Sequence, residues 1–225
     1  FTGGTGIIGF ESGIILSSGS IQNVVGPNTS DGITTMNGLA GDADLTGLIP
    51  GFKTLDATVL EFDFVPNNNV ISFQFAFASD EYNEYVNTSF NDVFGFFLEV
   101  NGVKTNVAVV PGTSTPVSIN NVNGGNPLGA GASNPDLYIN NDLSDGGGDI
   151  DTEMDGLTVV LPVEASVSPG EVNHIKLAIA DAGDTILDSN VFIKASSFID
   201  QPVEVDTDGD GIPDEWNQGM SHENS

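Results

Sequence analysis

The chain has 225 residues and a mass of 23.3 kDa, enough for one large β domain or one domain with a short appendix. It carries 32 Asp plus Glu against 4 Lys and no Arg, a net charge of −28, which makes nucleic acid and anionic membrane surfaces very poor partners. It has no cysteine, so the core packs without disulfides, and no run of 18 apolar residues, so no helix spans a bilayer.

The first residue is Phe1 rather than Met, which reads as a mature or trimmed product. Up to Ser30 the only charged side chain is Glu11. Phe1, Ile7, Ile8, Phe10, Ile14 and Ile15 give this segment high β tendency with little charge to solvate it, and such a strand is a pairing hazard. Either the domain's own sheet covers it or another subunit's does, so these six are the candidate assembly residues. Gly4-Thr5-Gly6-Ile7-Ile8-Gly9 fits the dinucleotide fingerprint, with Asp31 downstream. That motif needs a strand before it and a helix after it. Too little chain precedes Gly4, and Gly13 and Gly19 interrupt the segment after Gly9, so glycine turns explain it better.

Residues 38–56 are loop-rich, and Asp42 and Asp44 there either ligate a metal or solvate a turn. Strict alternation marks strands at 57–65 (Leu60, Phe62, Phe64 on one face) and 70–77 (Ile71, Phe73, Phe75, Phe77). With Pro66-Asn67-Asn68-Asn69 between them they read as an antiparallel hairpin. Next comes a polar stretch carrying Asp80, Glu81, Glu84, Asn91 and Asp92, held between two apolar runs. Residues 93–100 and 103–110 flank Asn101-Gly102, the strongest short hairpin signal, because a type I′ turn needs positive φ twice. Residues 111–149 read as long surface loops with one short strand at 116–119. Further strands are expected at 157–163, 172–180 and 191–198, with Asp181, Asp184 and Asp188 in a tight loop as possible additional metal ligands. No stretch has helical periodicity, so the fold class is all-β: an antiparallel, jelly-roll-like sandwich over residues 1–200 with long loops and a short calcium-binding tail over 201–225.

That tail holds the most specific motif. Asp206, Asp208 and Asp210 stand at loop positions 1, 3 and 5, Gly211 at 6, the Ile212 carbonyl at 7, Asp214 at 9 and Asn217 at 12. Oxygens at this spacing fit calcium, although an EF-hand carries Glu at position 12. Two carboxylates about 5 Å apart repel by about 3 kcal/mol at an effective dielectric near 20, so such a loop splays without a cation. The motif resembles a single thrombospondin type 3 repeat.

The body of the chain resembles the choice-of-anchor L domain of bacterial secreted and surface proteins. The resemblance rests on Glu11–Gly19 (ESGIILSSG), Leu60–Pro66 (LEFDFVP), Phe77–Gly102, Asn106–Gly125 and His174–Phe198, in order along the chain. It implies an all-β, non-catalytic extracellular module. The chain departs from that family in showing no anchor and in beginning after the family's usual opening strand.

Three readings of the Asp80, Glu81 and Glu84 group stay open: metal ligands with Asn91 and Asp92, an exposed acidic loop, or a glycosidase pair, which needs carboxyls about 5 to 9 Å apart across a cleft. His174 alternates outward on its strand, and nucleophile-elbow, cysteine and zinc-hydrolase motifs are absent from the sequence. Tyr82, Tyr85 and Trp216 either stack on sugars or pack. Asn28 and Asn87 fit the N-glycosylation pattern. The leading expectation is a calcium-bound, self-assembling extracellular subunit that adds strands head to tail. A calcium-dependent binder of surface glycans is the alternative, and a glycoside hydrolase a third.

Overall fold

The computed structural model describes residues 1–201. In chain order the strands are β1 (Gly13–Ser17), β2 (Thr54–Phe64), β3 (Val70–Ser79), β4 (Val93–Val100), β5 (Val103–Asn106) and β6 (Tyr138–Asn140). They continue with β7 (Gly156–Thr158), β8 (Leu161–Ser166), β9 (Asn173–Ala182), β10 (Ser189–Lys194) and β11 (Ile199–Gln201). One short α-helix, α1 (Ala43–Leu48), and two 3-10 turns, Ile21–Val24 and Pro135–Leu137, interrupt them.

Two antiparallel sheets stack face to face, an all-β sandwich. The larger runs β1-β10-β3-β7-β6, with β8 and β11 also on β3; the smaller runs β2-β9-β4-β5. Alternation places Phe73, Phe75 and Phe77 of β3 opposite Phe94 and Phe96 of β4 and Ile175, Leu177 and Ile179 of β9, all buried in one central cluster. Phe73 and Phe96 meet edge to face with centroids 4.3 Å apart.

The outer faces are covered too. On the larger sheet, Ala76 and Ala78 leave room for Ile8 and Phe10, with Phe1, Ile7 and Ile15 packed beside them. On the smaller sheet, Ala178, Ala180 and Ala182 receive Leu45 and Ile49 from α1 and its end. The result is four layers: N-terminal segment, sheet, sheet, helix.

The domain's own sheet therefore covers the uncharged N-terminal segment. β1 pairs with β10 in the register Gly13↔Lys194, Thr2 bridges to Ser12, and the Phe1 ring sits edge-on to Phe192. Of the six candidate assembly residues Ile14 is the exception, with its side chain facing solvent, and Ile21 and Val25 further along the segment are exposed too.

The expected hairpin of residues 57–65 and 70–77 is corrected: β2 pairs with β9, and β3 lies in the opposite sheet. Both strands present their apolar face to the same core from opposite sides, except that Phe62 stays exposed at the rim, edge-on to Phe198. Alternation fixes which face is buried, not which strand is the neighbour. The Asn101-Gly102 hairpin forms as expected, with φ of 53° and 77° and Val100 paired to Val103, although β5 ends at Asn106.

Residues 111–149 are more than surface loops. Val117, Ile119 and Val122 are buried, and the first two belong to the central cluster. The unexpected α1 starts where the Asp42 side chain accepts the Asp44 and Leu45 N–H groups, an N-cap followed by a buried Leu45.

A candidate metal centre at the acidic end

Several strand ends converge at one end of the sandwich. β3 ends into Asp80 and Glu81, β9 carries Asp181 next to its last residue, and β4, β7 and β10 begin directly after Asp92, Asp155 and Asp188. The registers Ser79↔Gly156, Ser79↔Ser189 and Val93↔Ala180 bring these termini side by side. Asp56, two residues into β2, joins them through the pair Thr54↔Ala182. All seven acids are at most 1% exposed.

None of these seven acids forms an ion pair within 4 Å among the described residues. Lys104 and Lys176 pair with Asp44, Lys176 also with Asp42, and His174 with Glu61 and Asp63. Lys194 donates to Gln74. Burying ionised carboxylates without a partner is expensive.

The acids divide by what their oxygens touch. Asp188 accepts the Thr35 and Ser20 N–H groups and the Asn23 amide. Asp92 accepts the Ala182 N–H at 2.8 Å and the Ser189 hydroxyl at 2.7 Å. Asp56 accepts the Asn37 and Leu39 N–H groups. Asp188 and Asp56 hold loops, and Asp92 ties the end of β9 to the start of β10. Asp80, Glu81, Glu84, Asp155 and Asp181 instead each keep one buried oxygen with no hydrogen-bond partner. Such orphaned oxygens call for an explanation, and an ion is one.

Protonation is governed by the same burial. Burial, then repulsion from Asp155, raises Asp80 to about 9. Burial, then Asp184 and Asp181, raises Glu81 to about 9. Burial and Asp92 raise Asp181 to about 9. Asp155 rises to about 8 and Glu84 to about 7, burial again leading. Asp92, fully enclosed beside Glu81, is pushed up by burial and that neighbour. Each group loses hydration and gains like charge, the pattern of a site that wants a cation.

At the outer edge of this end, carboxylate oxygens of Asp31, Glu84 and Asp142 lie within 4.8 Å of one another. Two oxygens on opposite sides of calcium, at about 2.4 Å each, are about 4.8 Å apart. At that separation and an effective dielectric near 20, each pair of charges repels by about 3.5 kcal/mol.

The structure brings together Asp80, Glu81, Asp92, Asp181 and Asp188 from the sequence candidates. Asp184 lies near enough to raise Glu81. Asn91 is also there, its oxygen accepting the Asn120 N–H at 2.9 Å. Asp42 and Asp44 are elsewhere, on the outer side of the smaller sheet against lysines. Asp206, Asp208, Asp210, Ile212, Asp214 and Asn217 lie outside the described residues. Sequence reasoning misses Asp31, Asp142 and Asp155 as members of this acidic end. They sit in aperiodic stretches, and only their acidity in Asn- and Gly-rich loops marks them.

Of the aromatics, Tyr82 is buried and donates to the Val122 carbonyl at 2.7 Å, Tyr85 stands edge-on to Phe90, and Trp216 lies outside the described residues. Asn28, a candidate glycan acceptor, is buried and donates to Asp155 at 2.7 Å.

The described residues define an all-β, two-sheet antiparallel sandwich with a cluster of buried acids at one end. The family model of the choice-of-anchor L domain matches residues 1–199, and the chain belongs to that family. Membership implies a surface-associated or secreted, generally non-enzymatic bacterial module. No curated protein and no solved structure gives a match.

Proposed function

We propose that the chain is a non-catalytic extracellular structural module, stabilised by calcium at its acidic end and able to assemble through its sheet edges. The observation that carries this reading is the set of five acids, each with a buried oxygen that has neither donor nor cation. Calcium suits them because every available donor is oxygen, and because such sites take six to eight ligands in flexible geometry.

Burial counts against a glycosidase pair, since Asp80 and Glu81 are 0% and 1% exposed and a sugar cannot reach them. The enclosed Tyr82 weakens the glycan-binding alternative, and no observation favours it. Assembly is supported by two edge strands, β5 and β1, the latter open on its outer side beyond Gly13, where Phe1 pairs, with Val103 and Ile14 facing solvent. A neighbouring copy of the chain is the partner those edges fit.

The test uses the full chain with Asp206→Asn, Asp208→Asn and Asp210→Asn, which silences the tail motif. Calorimetric titration is expected to show that this variant still binds calcium. A flat titration would refute calcium at the acidic end. Negative-stain microscopy then reads assembly, expected as filaments or sheets that Ile14→Lys disperses. Monomers alone at high concentration would refute the assembly part.

A further inference from the structure

Residues 28–35 cross the acidic end as a strap. Asn28 donates to Asp155 at 2.7 Å and to the Asn141 carbonyl at 2.9 Å. Thr29 donates to Glu153 through its N–H and its hydroxyl. The Ile33 N–H reaches Asp80 at 2.9 Å, and the Thr35 N–H reaches Asp188 at 2.9 Å. In the middle of this strap, exposed to solvent, stands its one acid, Asp31. Its carboxylate is aimed not at a donor but at two others, Glu84 and Asp142.

We propose that Asp31, Glu84 and Asp142 hold one calcium ion that clasps this strap shut over the inner acids. The inference rests on the metal-stabilised reading above and assigns the ion to a particular site. Three carboxylates alone do not make a site. Here two further oxygens, on residues with no exposed surface, lack any partner: Asp155 Oδ2 and Asn83 Oδ1. Asp155 lies close enough to feel the charge of all three carboxylates. Asn83 is tied to the same place: its N–H donates to Asp142 at 3.2 Å, and its amide nitrogen donates to Asp145 at 3.2 Å and to the Gly125 carbonyl at 2.7 Å. That orientation leaves the amide oxygen free for a cation. Three carboxylates, the amide oxygen and water on the exposed Asp31 side supply the all-oxygen, flexible shell that calcium takes, with Asp155 behind them as further negative charge, whereas magnesium keeps most of its own waters and binds few carboxylates.

The clasp joins three segments distant in sequence: the strap, the loop after β3 and the loop after β6. With the ion absent, mutual repulsion pushes Asp31 outward and the strap relies on its hydrogen bonds alone. With it present, the inner acids are sealed.

The experiment uses the tail-silenced full chain and compares Asp31→Asn and Glu84→Gln with Asp136→Asn, an exposed acid elsewhere. Calcium titration gives stoichiometry and affinity; hydrogen exchange tracks residues 28–35. Tyr138, close enough to this site to feel Asp142 and Asp155, sensitises terbium bound there. Expected are the loss of one ion, or at least tenfold weaker binding, in the two clasp variants, with faster exchange of the strap and weaker terbium emission. Asp31 is on the surface, so Asp31→Asn leaves the fold intact. Unchanged stoichiometry and affinity in both variants would overturn the clasp while leaving calcium elsewhere at the acidic end. A parent chain that binds no ion would overturn the broader reading as well.

Discussion

Asp188 and Asp80 are both enclosed at the same strand end, yet they ask for different partners. Asp188 is met by donors from Ser20, Asn23 and Thr35, and Gly19 lets it sit against the backbone: a Cβ there would lie 1.9 Å from the carboxylate. Gly19→Ala is therefore expected to displace Asp188 and cost about 1–3 kcal/mol by stranding its donors, measured by urea unfolding. Asp80 has one donor and one orphaned oxygen. In metal-free protein its pKa, raised from 3.8 to about 9, means that the folded state holds the proton more tightly than the unfolded chain. Stability is then greatest below about pH 4 and falls as pH rises toward about 9, the reverse of a salt-bridged carboxylate. Calcium should flatten or invert that slope, and Asp80→Asn should make it shallower without calcium, the other raised acids keeping the remainder. His174 on the outer face has the same sign of pH dependence for a different cause, attraction to neighbouring carboxylates rather than burial. Asp63 and Glu61 raise its pKa, so their contribution is present below its ordinary value and is lost as pH rises through the raised one. NMR titration of its ring protons, with and without Asp63→Asn, reads this directly.

At the scale of elements, local chemistry is legible in the sequence and long-range partnership is not. Asn101-Gly102 names its own turn, so the β4–β5 hairpin can be read from two residues. The alternation of β2 and β3 names their buried faces correctly, but a link of a few residues serves a hairpin and a sheet-to-sheet crossing equally well. The helix α1 stays hidden because it is short: an Asp42 cap and a buried Leu45 give no periodicity to find. Its anchor is testable. Leu45→Ala should cost about 2–5 kcal/mol and uncover the alanine face of β9. The acidic site is half legible for a related reason. Asp80, Glu81 and Asp92 flank obvious strands, whereas Asp31, Asp142 and Asp155 arrive from loops whose placement only the fold decides.

At the scale of the molecule, the charge of −28 is distributed with a purpose. The described ion pairs lie on the surface and on the outer face of the smaller sheet, and none involves the acidic end. On the calcium reading proposed above, the module folds most stably where calcium is available. The direct measurement is thermal unfolding of the tail-silenced full chain in saturating calcium and in chelator. Calcium at a hundred times its dissociation constant contributes about 2.7 kcal/mol, which for a domain of this size raises Tm by about 5–10 °C. A shift of that order is the result predicted; identical melting in calcium and in chelator would contradict the account.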